Sequence, residues 1–145
     1  MLLDTNIVSE VMRAQPNQQV IDWLNRQSVQ SCFISSITLA EIEYGIALLP
    51  FGGRRDGLGI KFKQFVAQGF DDRVLGFDAP SAVYFARVML LRKQQGRPMS
   101  FQDGQIAAIA LQHGLPLVTR NTKDFDGVGL VLINPFDTVA GVVST

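Results

Sequence analysis

Three carboxylates stand out by what precedes them in the chain. Asp4 follows the apolar Met1-Leu2-Leu3 and is itself followed by Thr5 and Asn6. Glu41 lies one turn into the helical stretch ITLAEIEYGIALL, behind Ser35-Ser36. Asp103 lies near the start of SFQDGQIAAIALQHG, where helical spacing puts it on a face with Ala107, Ala110 and Leu111. An acid on such an apolar stripe is a local cap or points into a shared pocket, because buried carboxylates must be paired, hydrogen-bonded or metal-bound. Three acids converging on one pocket would repel one another. A divalent cation removes that repulsion, and oxygen-only ligands suit Mg²⁺ or Mn²⁺. The chemistry of such a site is phosphoryl transfer or phosphodiester hydrolysis.

Read singly, each acid has an ordinary alternative. Asp4 could cap a helix. Glu41 could be a solvated helix residue like Glu43, and Asp103 could belong to a helix first turn, where acids are favoured. Taken together near one sheet edge, they favour a metal site. Other nucleophile systems are not apparent. His113, the single histidine, sits at a helix end beside Gly114 and reads as a partner of the helix dipole. The sequence has no GxxxxGK[ST] loop, no GxGxxG and no GxSxG elbow. Gly52-Gly53 reads as a turn, and the lone Cys32 as a buried, inert thiol.

The elements that must position these acids alternate. Apolar stretches of strand length occur at LL before Asp4, SCFISS, RVLGF, LPLVT and, last, LVLIN. Helical patterns separate them: NIVSEVMR, VIDWLNRQ, ITLAEIEYGIALL, IKFKQFVAQGF, APSAVYFARVMLLRKQQG and SFQDGQIAAIALQHG. PFGGRRDGLG and RNTKDFDGVG read as loops. Alternation of this kind predicts an α/β fold with a parallel sheet, whose site lies beyond the C-terminal ends of the strands. The residues there are Asp4-Thr5-Asn6, Ser35-Ser36 with Glu41, and Thr119-Arg120-Asn121. The length of 145 residues suits one domain over 1–145.

In order and spacing, LDTNIVSE, SSITLAEIEYGIALLP, SFQDGQIAAIA and LVTRNTKDF resemble the PIN-domain ribonucleases. The likeness is to the VapC-type toxins of bacterial type II toxin–antitoxin pairs, near the FitB-like subgroup. The resemblance implies a PIN-like three-layer α/β/α sandwich with a central parallel sheet of about five strands. It also implies Mg²⁺ or Mn²⁺ held by acids, and RNA as the substrate. On that likeness Asp4, Glu41 and Asp103 are the first three acids. Asn6 is the polar companion that orients Asp4, and Thr119 is the hydroxyl at the end of the fourth strand. Asn121 stands where many members carry Asp. It can bind through its carbonyl or a water, or Asp124 can substitute. One fewer charge implies one well-held metal and a weaker second. A PIN-like module that has lost activity is the competing expectation. An aspartyl phosphatase would need an acid at position 6, and a receiver domain a second acid beside Asp4; neither is present.

Lys plus Arg equals Asp plus Glu, 13 each, so global charge names no partner and local clusters carry the question. Arg54 and Arg55 near the glycine loop, and Arg120 behind the fourth strand, are candidate contacts for RNA or an antitoxin. Arg87, Arg92, Lys93 and Arg97 form a second cluster, with an ordinary solvated face as its alternative. The resemblance further implies a homodimer and a small inhibitory antitoxin. Phe51, Phe62, Phe65 and Phe70 could line a groove for its helix, with core packing expected for at least half of them. The chain carries no helix-turn-helix or ribbon-helix-helix pattern, so alone it is not expected to bind operator DNA. No basic segment with an apolar run opens it and no membrane span is visible, so a cytoplasmic location is expected.

Overall fold

Two-residue strands can hold a sheet together only if both faces are buried, and the sequence supplies that with Leu, Val and Ile at nearly every strand position. The computed structural model describes residues 1–137 and the backbone of 141–144. Its strands are β1 (Leu2–Leu3), β2 (Ile34–Ser35), β3 (Val74–Leu75), β4 (Leu117–Val118), β5 (Val131–Asn134) and β6 (Gly141–Ser144). Helices α1 (Thr5–Met12), α2 (Gln18–Asn25), α3 (Ser36–Ala47), α4 (Gly53–Gly69), α5 (Ala79–Gln94) and α6 (Phe101–Gln112) connect or follow them. One ladder runs in the order β1-β4-β5-β6 and a second pairs β2 with β3. A bridge between Leu2 and Phe33 joins the two, so β1 to β5 all run parallel.

Register sorts the side chains into two cores. Leu2, Leu117 and Leu132 are paired in line, and so are Leu3, Val118 and Ile133. Successive residues of a strand point to opposite faces. The first row packs on Val88 of α5 and Ile106, Ala107, Ile109 and Ala110 of α6. The second packs on Ile7, Val8, Val20, Trp23 and Phe62 of α1, α2 and α4. The result is a three-layer α/β/α arrangement. Cys32 is buried and unpaired within the second core.

Two expectations change. The stretch read as a loop from Pro50 to Gly59 becomes helical at Gly53. Gly52, at φ 150°, ends the loop; the Asp56 amide then bonds the Gly52 carbonyl at 3.1 Å. Burial of Phe62 on the core outweighs the poor helix propensity of Gly53, Gly57 and Gly59. LVLIN is also not the final strand, since β6 follows it and pairs antiparallel with β5. Among the phenylalanines, Phe62 and Phe70 are core residues, Phe65 packs against them, and Phe51 is exposed under Arg55.

Close approach of α5 to α6 depends on Gly104. A Cβ there would lie 2.6 Å from Met89 Sδ and 2.9 Å from the Phe85 ring. Gly104→Val should therefore lower unfolding free energy in urea by about 1–3 kcal/mol, the usual cost of overpacking. An unchanged urea midpoint would show that the two helices separate freely.

Candidate functional site

Parallel strands end at one edge of the sheet, and Asp4 is the first residue beyond β1. Its backbone is extended and its Oδ1 accepts from the Thr5 amide at 2.8 Å, so it caps α1. Its Oδ2 accepts from Thr119 Oγ1 at 2.8 Å and Asn6 Nδ2 at 3.1 Å. Thr119, the first residue beyond β4, is fully buried. Asn6 Nδ2 also lies 3.3 Å from Thr119 Oγ1, and Asn6 Oδ1 accepts the Arg120 amide at 3.2 Å. Thr119 Oγ1 accepts the Asn121 amide at 3.1 Å. The ends of β1 and β4 are thus tied through one carboxylate and two polar side chains.

The other acids arrive by helix termini. Ser35, the last residue of β2, caps α3 by accepting the Thr38 amide. One turn later Glu41 Oε1 accepts the Thr5 hydroxyl at 3.2 Å, and that hydroxyl is 3.0 Å from Thr38 Oγ1. Ser100 caps α6 and accepts the Asp103 amide at 3.2 Å, setting Asp103 in the first turn. Asp4, Glu41 and Asp103 line one open cleft of about 590 Å³ together with Asn6, Asn121 and Asp124.

Burial dominates the electrostatics. Desolvation raises the Asp4 carboxyl from 3.8 to about 6. The Thr119 and Thr5 hydrogen bonds oppose the rise, while the charges of Asp103 and Glu41 add to it. Asp103 is raised as well, first by burial and then by Asp124. Among the described residues no three Asp, Glu, His or Cys side chains close on a common point as a preformed cage. The carboxylates and amides that line the cleft offer only oxygen as anionic or carbonyl donors, a set that fits a hard cation such as Mg²⁺. Carboxylates that raise one another's pKa are the arrangement such a cation relieves.

The PIN-domain family pattern matches residues 1–130. The chain belongs to the PIN-domain family. A protein named toxin FitB, from Neisseria gonorrhoeae, is 38% identical over 135 residues, 93% of this chain and 97% of that one. The protein named VapC ribonuclease Y4jK, from Sinorhizobium fredii, is 36% identical over 136 residues, covering 94% and 97%. A solved structure of FitAB bound to an IR36 DNA fragment superposes with a TM-score of 0.89 at 37% identity, covering 94% of this chain and 95% of that one.

Within this PIN domain the cationic candidates separate. Arg120 lines the acidic cleft, its guanidinium 4.5 Å over the Phe136 ring. Arg54 lines a neighbouring groove between α1, α3 and α4, and Arg55 covers Phe51. Arg92 is no solvated helix-end cation. It is 5% exposed and donates to the carbonyls of Arg97, Asp124 and Asp126. That contact fixes the Thr122–Asp124 turn, whose acid reaches the cleft. Arg97 pairs with Asp126 at 2.6 Å. Glu10 was missed as a cleft residue; it is 5% exposed and lines the cleft. The available signal was the spacing of Asn6 and Glu10, one turn apart on one face of α1, with Arg13 at its C-terminal end.

The Asp4 shift has a stability consequence in chelator-treated protein. Between pH 3.8 and about 6 the folded chain holds a proton at Asp4 that the unfolded chain has lost. Stability therefore falls as pH rises through this window, by about 3 kcal/mol for a shift of roughly two units. Urea denaturation should show that fall in the wild type and a shallower one in Asp4→Asn; equal slopes would contradict the placement of Asp4.

Proposed function

We propose that this PIN domain is a metal-dependent endoribonuclease, the toxin of a type II toxin–antitoxin module. The observation that carries the reading is the convergence of Asp4, Glu41 and Asp103 on one cleft at the sheet's C-terminal edge. Support comes from relatives named as a toxin and as a VapC ribonuclease. Asp4, Glu41 and Asp103 are assigned to hold Mg²⁺ or Mn²⁺, with Asn121 or Asp124 at the margin of the set. When bound there, such a cation would supply a lowered pKa for a water and positive charge for the phosphoryl oxygens.

The protein's own groups have separate tasks. Thr119, Asn6 and the Thr5 amide orient both oxygens of Asp4 before any ligand arrives. Glu41 engages Thr5 through Oε1, and among the described residues its Oε2 has no protein partner. Oε2 is the atom we assign to hold a water and accept its proton, with Asp4 as the other candidate. Exposed Asn121 brings an amide side chain with no partner among the described residues; its backbone N–H donates to Thr119 and its carbonyl accepts the Asp124 amide. Asp124 supplies charge to the same cleft wall.

In this reading the chain acts in the cytoplasm as a homodimer inhibited by a small antitoxin. No described helix is long and apolar enough to cross a membrane. Val83, Leu90 and Phe101 on α5 and α6 are exposed apolar residues suited to a protein contact. Operator DNA is assigned to the antitoxin; solved neighbours include FitAB bound to a DNA fragment and DNA-bound VapBC from Salmonella typhimurium. Asn121 in place of an acid favours a second reading, a PIN-like module that binds in the complex and cleaves weakly or not at all.

Total cellular RNA incubated with the protein separates the two. Cleavage should require Mg²⁺, stop with EDTA and fall by at least about 100-fold in Asp4→Asn while the fold is retained. Wild-type rates in the mutant would remove Asp4 from the site, and no cleavage by wild type would leave the binding module. Titration of RNA-free protein with Mn²⁺ should show one tight site; two equally tight sites would contradict the role given to Asn121.

A further inference from the structure

Glu10 is a buried acid that the assignments above do not use. Its side chain is 5% exposed, and its Oε2 accepts the Asn17 amide at 2.9 Å. Both its oxygens receive Arg13 Nη1, at 3.2 and 3.1 Å. Arg13 itself is 63% exposed and lines the acidic cleft. Only Nη1 is engaged; among the described residues Nε and Nη2 have no protein acceptor. A solvated arginine ordinarily samples many rotamers. This one is held at the cleft wall by a carboxylate that is itself fixed to backbone, with the Nε/Nη2 edge of its fork still open. Such an edge matches the paired oxygens of a phosphate.

The position suits a polyanion. Arg120 is the other arginine of the cleft, and it too is fixed, by its amide on Asn6, its carbonyl on Asn134 and its guanidinium over Phe136. Acids make up the rest of the charged lining, so a phosphate strand needs cations at defined points beside them. Arg13 also lines the neighbouring groove, where Arg54 and Lys61 stand. A strand leaving the carboxylates past Arg13 therefore meets further positive charge.

We propose that Arg13, oriented by Glu10, binds a phosphate of the RNA strand adjacent to the phosphate at the carboxylates. Glu10 is then a positioning residue and not a metal ligand. The inference rests on the ribonuclease reading and adds to it the path of the strand out of the cleft.

The test uses the full chain and a mixed-sequence single-stranded RNA, with binding read by fluorescence anisotropy in Ca²⁺ over a salt series. Arg13→Ala should weaken binding about 5- to 10-fold and make the slope of log K against log salt shallower by about 0.7, the loss of one phosphate contact. Its Mn²⁺ affinity should match wild type; its melting temperature should fall, because buried Glu10 loses its partner, so binding is read well below that temperature. Glu10→Gln should weaken RNA binding about 2- to 4-fold, because the charge remains while its anchor is weakened, with Mn²⁺ affinity again unchanged. Arg87→Ala, an exposed arginine outside both clefts, controls for net charge and should bind as wild type. Unchanged binding by Arg13→Ala, or a loss no larger than that of Arg87→Ala, would overturn the proposal. Weakened Mn²⁺ binding in Glu10→Gln alone would overturn it by making Glu10 a ligand. A wild type that binds no RNA would overturn both this inference and the ribonuclease reading, whereas RNA binding indifferent to Arg13 overturns this inference alone.

Discussion

Everything at the sheet edge depends on keeping one carboxylate out of water. Asp4 is 4% exposed and takes three donors on two oxygens, yet its proton affinity still rises. Hydrogen bonds alone would have pushed it the other way. Burial and two neighbouring acids win, which leaves a group whose ionised form is under-compensated near neutral pH. A purely structural cap does not require this, because a serine or asparagine supplies the same acceptor without a charge. The retained charge supports the cation-holding role proposed for Asp4.

The scaffold makes that arrangement rigid. Strands of two residues have little ladder of their own, so alternation of side chains into two cores fixes their register. A one-residue slip of β1 would carry Asp4 away from Thr119 and turn Leu2 and Leu3 to the wrong faces. Small residues on α6 let that helix lie close to α5, which sets where Asp103 enters the cleft. Arg92, at the C-terminal end of α5, then ties the loop after β4 to the same layer. Each acid is thus aimed by a different element: a strand end, a capped helix, a helix first turn and an anchored turn.

Legibility in the sequence followed the range of the forces involved. Alternating strand and helix patterns marked the α/β class and the residues just behind each strand, because period and capping are local. Asp4, Glu41 and Asp103 were found that way, and the structure brings them to one cleft. The glycine-rich start of α4 was misread because its helicity comes from burying Phe62, a tertiary effect. β6 was missed because strand Gly141–Ser144 is defined by pairing with β5 across a turn. Arg92 looked like a surface cation, since nothing in its neighbours reveals carbonyls from residues 124 and 126 converging on it. Glu10 hid for a related reason: its burial depends on Asn17, beyond the end of α1.

In the proposed metal role, Asp4 exchanges a proton for a cation. Calorimetric titration with Mn²⁺ near pH 6, repeated in buffers of different ionisation enthalpy, measures that exchange directly. Net proton release on binding, affinity that rises with pH through about 6, and loss of both in Asp4→Asn are expected. Binding with no proton release and no dependence on pH between 5 and 7 would contradict that role.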